Sequence, residues 1–228
     1  MIRIENTVVP HGEQWKSLIL GARNPMNSWD RSDSEWVGFE DWDCGHGVPD
    51  RLGHAYVIGD NDLDLMTRLS KAGTDHRKFM RMIVVYADIT APLYWWKEYD
   101  TYKVGTVANS CSTMHKKKEK EFTLDDFSHE HLNKETMYLF EQIVNYLNIS
   151  RDCYNSAKKE NDKEWSKDYW WQIIQLLPQS YNQKRTVMLN YEVLKNMYHS
   201  RKAHKLDEWQ EFCLWIENLP YRELITGE

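Results

Sequence analysis

The 228-residue chain has no long apolar run, few cysteines and no surplus of positive charge. No stretch approaches the roughly 20 consecutive apolar residues that a membrane-spanning helix needs, which argues against a membrane partner. The cysteines, Cys44, Cys111, Cys153 and Cys213, form no C-x-x-C pair, and the first residues lack the pattern of a secretory signal. Free thiols in a reducing cytoplasm are therefore expected. Lys and Arg number 29 against 35 Asp and Glu, a net charge of -6. A general nucleic-acid binder carries a basic face, so this balance argues against one. It leaves room for a small anionic ligand, because a pocket needs only a few local cations. There is no internal repeat, low-complexity tract or clear linker. Residues 1–228 accordingly read as a single domain, with little interpretable pattern over 1–60 and the core over 61–228.

What is present is a soluble globular balance, 41% hydrophobic and 28% charged, with 11 Trp and 13 Tyr. Those rings serve either as large core anchors or as walls for a planar ligand. The segment IRIENTVV near the start reads as a short strand, and Gln14 to Leu20 as a short helix stopped by Gly21. Arg23 to Asp30, with Pro and Asn as breakers, is a loop that either closes on itself through Asx turns or faces a ligand. Asp41-Trp42-Asp43-Cys44-Gly45-His46 holds metal-compatible types at a spacing that matches no zinc pattern. Asp60, Asp62 and Asp64 resemble the opening of a calcium loop, but Leu65 and Lys71 stand where Gly and Glu are required. They suit instead the start of the helix LDLMTRLSKA, ended by Gly73.

Phe79 to Ile89 reads as a strand, interrupted by Arg81. Pro92 suits a first helical turn, and a helix follows from Leu93 to Lys103, stopped by Gly105. Thr106 to His115 has neither a helical nor a strand period. Lys116 to Glu121 is a solvated charge run. Further helices are expected over Lys134–Ala157, Asp162–Leu177, Lys184–Lys202 and Leu206–Asn218. On the third of these, Asn190, Leu194, Met197 and Arg201 are spaced to share one face. An Arg at the end of that stripe either keeps its head in water or enters a pocket, where its planar fork would grip a phosphate or a pyrimidine carbonyl.

Two regions, about Leu69 to His115 and Leu177 to Trp215, resemble the flavin-dependent thymidylate synthases. That family carries G-H-x-x-x-x-E-H, a strand, A-P and a helix; here His76, Ile83-Val84-Val85 and Ala91-Pro92 fall at matching distances. The family's R-H-R-x-x-S-x-N-x-x-S-x-R-Y aligns with Thr101 to Met114. Thr101, Tyr102 and Lys103 replace R-H-R, Thr106 and Cys111 stand at the two Ser positions, and Thr113-Met114 replaces Arg-Tyr. Lys103 keeps a charge without the bidentate fork. Glu98 stands for the family's Gln. The family's L-P, its N-x-x-x-L-x-x-x-x-x-x-R and its Q-W correspond to Leu177-Pro178, to Asn190, Leu194 and Arg201, and to Glu208-Trp209.

The resemblance implies an α+β fold, a mainly antiparallel sheet with packed helices, in a homotetramer. It implies a transferase that moves a one-carbon unit from folate to C5 of a pyrimidine deoxynucleotide such as dUMP, with FAD as cofactor and NADPH as reductant. Arg201, Glu98, Ser110 and Ser112 would hold the nucleotide. His76, Arg81, Tyr102, Lys103, Asn190 and Leu194 would hold the cofactor. Two other readings stay open. Cys111 is either a small buried thiol or a thiolate that adds to pyrimidine C6, activated by Lys103, His115 or His76. Alternatively the fold serves as a non-catalytic nucleotide-binding protein.

Overall fold

The computed structural model describes residues 1–38, 48–49, 53–112 and 120–227. In chain order the elements are β1 (Arg3–Val8), α1 (Gly12–Arg23), β2 (Glu35–Gly38), β3 (Val48–Pro49), β4 (His54–Val57) and α2 (Asp60–Lys71). Next come β5 (Val84–Pro92), α3 (Leu93–Tyr99), β6 (Thr106–Ser110), α4 (Lys134–Lys159) and α5 (Lys163–Leu176). The chain then continues through β7 (Asn182–Asn190), α6 (Tyr191–Arg201), α7 (Asp207–Glu217) and α8 (Glu223–Thr226). One sheet has strand order β1-β5-β7-β6, and the other β2-β4-β3. The second is antiparallel, with Glu35 opposite Val57 and Val48 opposite Tyr56. The class is α+β, as expected. Among the described residues no helix is long and apolar enough to cross a membrane.

Local chemistry sets the helix starts. The side chain of Asn133 accepts from Thr136 N–H at 2.9 Å and that of Asp162 from Trp165 N–H at 2.9 Å, opening α4 and α5. Four segments differ from the sequence reading. Arg77–Arg81 is a 3-10 turn, with Met82 N–H on Phe79 O and Ile83 N–H on Met80 O, so β5 starts only at Val84. Phe79 and Met80 are buried in that turn, and a short apolar run cannot tell a buried turn from a strand. The helix expected over Lys184–Lys202 divides at Asn190, which ends β7 and caps α6 by accepting from Val193 N–H at 2.9 Å. Within β7, Val187 and Leu189 alternate as buried positions, a period of two that the reading by fours overlooked. The segment without a clear period holds β6, and α3 stops at Tyr99, four residues before Lys103.

The chain forms two compact units. The first comprises Met1–Arg3, Ile89–Thr101 and Asn109–Arg185. Its core joins Phe122, Phe127, Phe140, Val144, Leu147 and Ile173 beneath α4 and α5. On α3, Trp95, Trp96 and Tyr99 pack against one another with ring centroids 4.8–5.3 Å apart. The second comprises Ile4–Asp88, Tyr102–Ala108 and Thr186–Glu228. Its core includes Trp15, Met66, Met80, Ile83, Trp209 and Phe212. Trp15 meets Tyr191 and Tyr221 edge-on at 6.2 and 4.9 Å.

Candidate functional site

In the second unit, Arg201 is the last residue of α6. Its Nε–H donates to the Tyr102 hydroxyl at 3.0 Å. Its guanidinium lies 4.9 Å from the ring centroid of Trp209 and 5.7 Å from that of Tyr102. Trp209 is fully buried at the start of α7, so this aromatic face is fixed by packing. Tyr102 is brought there by a tight turn. Thr106 Oγ1–H donates to Tyr102 O at 2.5 Å, and Gly105 adopts φ +81°. A Cβ on Gly105 would stand 2.5 Å from Asn190 Nδ2, so only glycine lets the turn lie this close to the start of α6.

Asn190 and Arg201 thus mark opposite ends of α6, roughly 16 Å apart at 1.5 Å per residue. Asn190 lies outside the helix as its cap, while Leu194 and Met197 are fully buried. The single face expected from the spacing is therefore a cap, a core stripe and an aromatic-backed arginine.

A second group in the same unit surrounds Glu192. Arg77 Nε–H donates to Glu192 Oε1 at 3.3 Å; Arg81 Nε–H meets Oε2, and its NH2 group donates to Oε1 at 3.3 Å. Burial pushes the Glu192 carboxyl up, but Arg81 and then Arg77 outweigh it and hold it below the usual carboxylate range. His76 is exposed beside this group and lines a cavity of about 550 Å³ with Met26, Leu69, Lys78 and Phe79. Lys103 is exposed on the Tyr102–Gly105 turn.

In the first unit, Cys111 follows β6 with its thiol exposed. Its backbone is held on both sides: Cys111 N–H donates to Lys184 O at 3.0 Å, and Gln183 Nε2–H donates to Cys111 O at 2.8 Å. Gln183 Oε1 accepts from Arg185 Nε–H at 3.0 Å. Arg185 stacks 4.1 Å from the Trp96 centroid and pairs with Asp100 at 2.8 Å. Glu98 is half-buried in this unit, and Ser110 and Ser112 are exposed. Thr113, Met114, His115, the charged residues Lys116 to Glu119 and the Asp41–His46 cluster lie outside the described residues.

Sequence reasoning missed Gln183, Arg185, Arg77 and Glu192. Gln183 and Arg185 are two apart on β7, a relation that the helix expected from Lys184 onward does not contain. The Glu192 pairings span more than a hundred residues, and no local pattern announces them.

No family model and no curated protein matches the sequence. Solved structures do. Thymidylate synthase X (ThyX) from Helicobacter pylori with FAD and dUMP is 14% identical, with 100% of this chain and 98% of that chain covered at a TM-score of 0.67. A structure of flavin-dependent thymidylate synthase ThyX from Helicobacter pylori complexed with FAD and dUMP is 15% identical, with 99% and 98% covered at 0.63. The chain has the fold of the flavin-dependent thymidylate synthases. The likeness to ThyX runs from end to end, well beyond the two regions that carried the sequence resemblance. At this identity it fixes the path of the chain, and the chemistry rests on the side chains described above.

Proposed function

We propose that the chain binds a pyrimidine deoxynucleotide of the dUMP kind and transfers a one-carbon unit to C5 of its base. The observation that carries this reading is Arg201, held against Trp209 and Tyr102 in a fold shared with two structures that contain dUMP. The planar guanidinium matches a phosphate or a pyrimidine carbonyl. Fixing it beforehand reduces the ordering lost on binding.

Those structures also contain FAD. The residues that the resemblance assigns to flavin in this chain do not fit that group. Arg81 is paired with Glu192, the Tyr102 hydroxyl accepts from Arg201, Asn190 caps α6, and Leu194 is fully buried. What the family supplies as two arginines and a histidine is here a threonine, a tyrosine and one exposed lysine, a donor set poorly matched to a diphosphate.

A second reading follows from Cys111. A thiolate at an exposed position pinned by Gln183 and Lys184 can add to pyrimidine C6. The S–C6 bond forms, the C5–C6 electron pair moves to C5, and C5 attacks the one-carbon unit of a folate. Loss of the C5 proton breaks the bond from the transferred carbon to the folate nitrogen and leaves an exocyclic methylene on C5. Hydride from the released tetrahydrofolate adds to this methylene as the thiolate is expelled from C6, which restores the ring and gives a methyl group and dihydrofolate.

The test is dUMP binding by calorimetry, with Arg201→Ala beside the wild type. Loss of a charged hydrogen bond, about 1.5–3 kcal/mol, weakens binding roughly 10- to 100-fold; equal affinity would sink the reading. Release of tritium from C5 with a folate donor then tests the transfer. Cys111→Ala that binds dUMP but releases no tritium supports the thiolate route. Binding without release in any form leaves a nucleotide-binding protein. Incubation with FAD followed by desalting is expected to leave no band near ~450 nm, the signature of bound flavin; a retained band would overturn the misfit.

A further inference from the structure

Lys195 sits in α6 with only 7% of its surface exposed. Its ammonium donates to the carbonyl oxygens of Leu224 and Ile225 in α8 at 3.3 and 3.5 Å. These contacts are long, and an ammonium has three protons to place. Among the described residues the charged groups that act on Lys195 are Arg77 and Lys71, both positive; burial first, then these two, push it below the usual lysine range. Glu192 lies three residues earlier on the same face of α6, but Arg77 and Arg81 already share its carboxylate. Asp75 acts on Arg81 and is not among the groups acting on Lys195. One turn after Lys195 comes His199, which bonds to the Ile225 backbone; burial and the Lys195 charge push its imidazole down.

Four elements converge here. α6 packs against α8 and against the Arg77–Arg81 turn, and α2 packs against both of those. The result is a buried ammonium that, among the described residues, meets only distant carbonyls and the like charges of Arg77 and Lys71, in a chain whose net charge is -6. Such an arrangement is unfavourable by itself, because a buried cation without a counter-ion loses hydration that carbonyl dipoles replace only in part. A bound anion offsets it.

We propose that Lys195, Arg77, His199 and Lys71 form a binding site for phosphate, either inorganic or carried by a small molecule. A tetrahedral anion with several acceptor oxygens suits donors arriving from separate elements better than a planar carboxylate does. Arg77 meets Glu192 through Nε, so the terminal nitrogens of its fork are the ones directed to phosphate. The site does not depend on pyrimidine binding, and inorganic phosphate probes it alone.

The experiment is thermal unfolding of the full chain at pH 7 and low ionic strength, titrated with sodium phosphate and, separately, with sodium chloride at matched ionic strength. The expected result is a phosphate-specific rise in Tm, about 5 °C at a concentration some twentyfold above Kd. Lys195→Met replaces the buried amine with an apolar chain of similar length; it is expected to fold, to unfold at a higher temperature without phosphate, and to lose the response. Lys71→Ala, at an exposed position, weakens the response and leaves the fold intact. Equal responses in wild type and Lys195→Met, or a wild-type response no larger than that to chloride, overturn the proposal. Calorimetry with dUMP on Lys195→Met assigns the source. Retained dUMP affinity with a lost phosphate response makes the ligand free phosphate or another phosphate carrier, and loss of both makes it the nucleotide's own phosphate. Failure of the Arg201→Ala test leaves either result standing.

Discussion

Replacing Asp62 with Asn is expected to destabilise the second unit by about 3 kcal/mol at pH 7, at the low end for breaking a buried ion pair. The magnitude follows from what the carboxylate holds. Oδ1 accepts from Arg23 Nε–H at 2.5 Å, with the two side chains 0% and 5% exposed. Oδ2 accepts from Ser32 Oγ–H at 2.7 Å, Ser34 Oγ–H at 2.6 Å, and the backbone N–H groups of Asp33 and Ser34 at 3.2 Å. An amide in the same place turns one acceptor into a donor facing other donors, and it leaves the Arg23 guanidinium buried without a counter-charge. The remaining Arg23 bonds, to the carbonyl and hydroxyl oxygens of Ser28 and the carbonyl of Arg31, hold the loop between α1 and β2, so that loop should loosen first.

For a chain of this size about 2–4 °C accompany each kcal/mol, giving a fall in Tm of roughly 6–12 °C by calorimetry or circular dichroism. Burial pushes the Asp62 pKa up, but hydrogen bonds from Ser34, Ser32 and Arg23, with the Arg23 charge, bring it below its usual value. A depressed folded-state pKa contributes stability that is complete above the unfolded value, about 3.9, and is lost as pH falls through the folded value. The gap between wild type and Asp62→Asn should therefore be full at pH 7 and close below about pH 4. Arg23→Met combined with Asp62→Asn should be less destabilised than the sum of the singles, since no orphaned charge remains. A single variant within about 0.5 kcal/mol of wild type, or strict additivity in the pair, would refute the reasoning.

Gly105→Ala should lower stability by about 2–3 kcal/mol in urea unfolding, because φ is +81° and the new Cβ displaces Asn190 from its cap on α6. Gly73→Ala, at φ +104° with nothing within 4 Å of its Cβ, should lose only the backbone part, about 1–2 kcal/mol; equal losses at the two sites would mean that the contact with Asn190 is immaterial. Tyr102→Phe removes the acceptor for Arg201 Nε–H and keeps both rings behind the guanidinium, so calorimetry should find dUMP affinity reduced by less than in Arg201→Ala, about three- to tenfold, because the charge that meets the ligand stays and only its orienting bond is lost.

The long amphipathic helices α4 and α5, the helix after Pro92, the stop at Gly73 and the α+β class were legible in the sequence. Each depends on spacing, caps and breakers within a turn or two of chain. The spacing of Asn190, Leu194 and Arg201 was legible as a pattern, and it carried the resemblance that the fold upholds. Its meaning was not. Whether Asn190 continues a helix or ends a strand depends on whether β7 pairs in a sheet, and that decision belongs to residues far along the chain. The same holds for the strand Thr106–Ser110, whose small polar residues have no period of their own and which exists because a neighbour offers it a ladder. Charge pairing was the least legible of all. Asp62 reads locally as a helix-start carboxylate, yet it is the buried partner of Arg23. Glu192 reads as a first-turn acid, yet it gathers Arg77 and Arg81 and leaves Lys195 to carbonyl oxygens. Local propensity acts over a few residues and is written in order along the chain. Burial and the low dielectric that strengthens these charges arise only when distant segments exclude water together, and tertiary structure alone decides that.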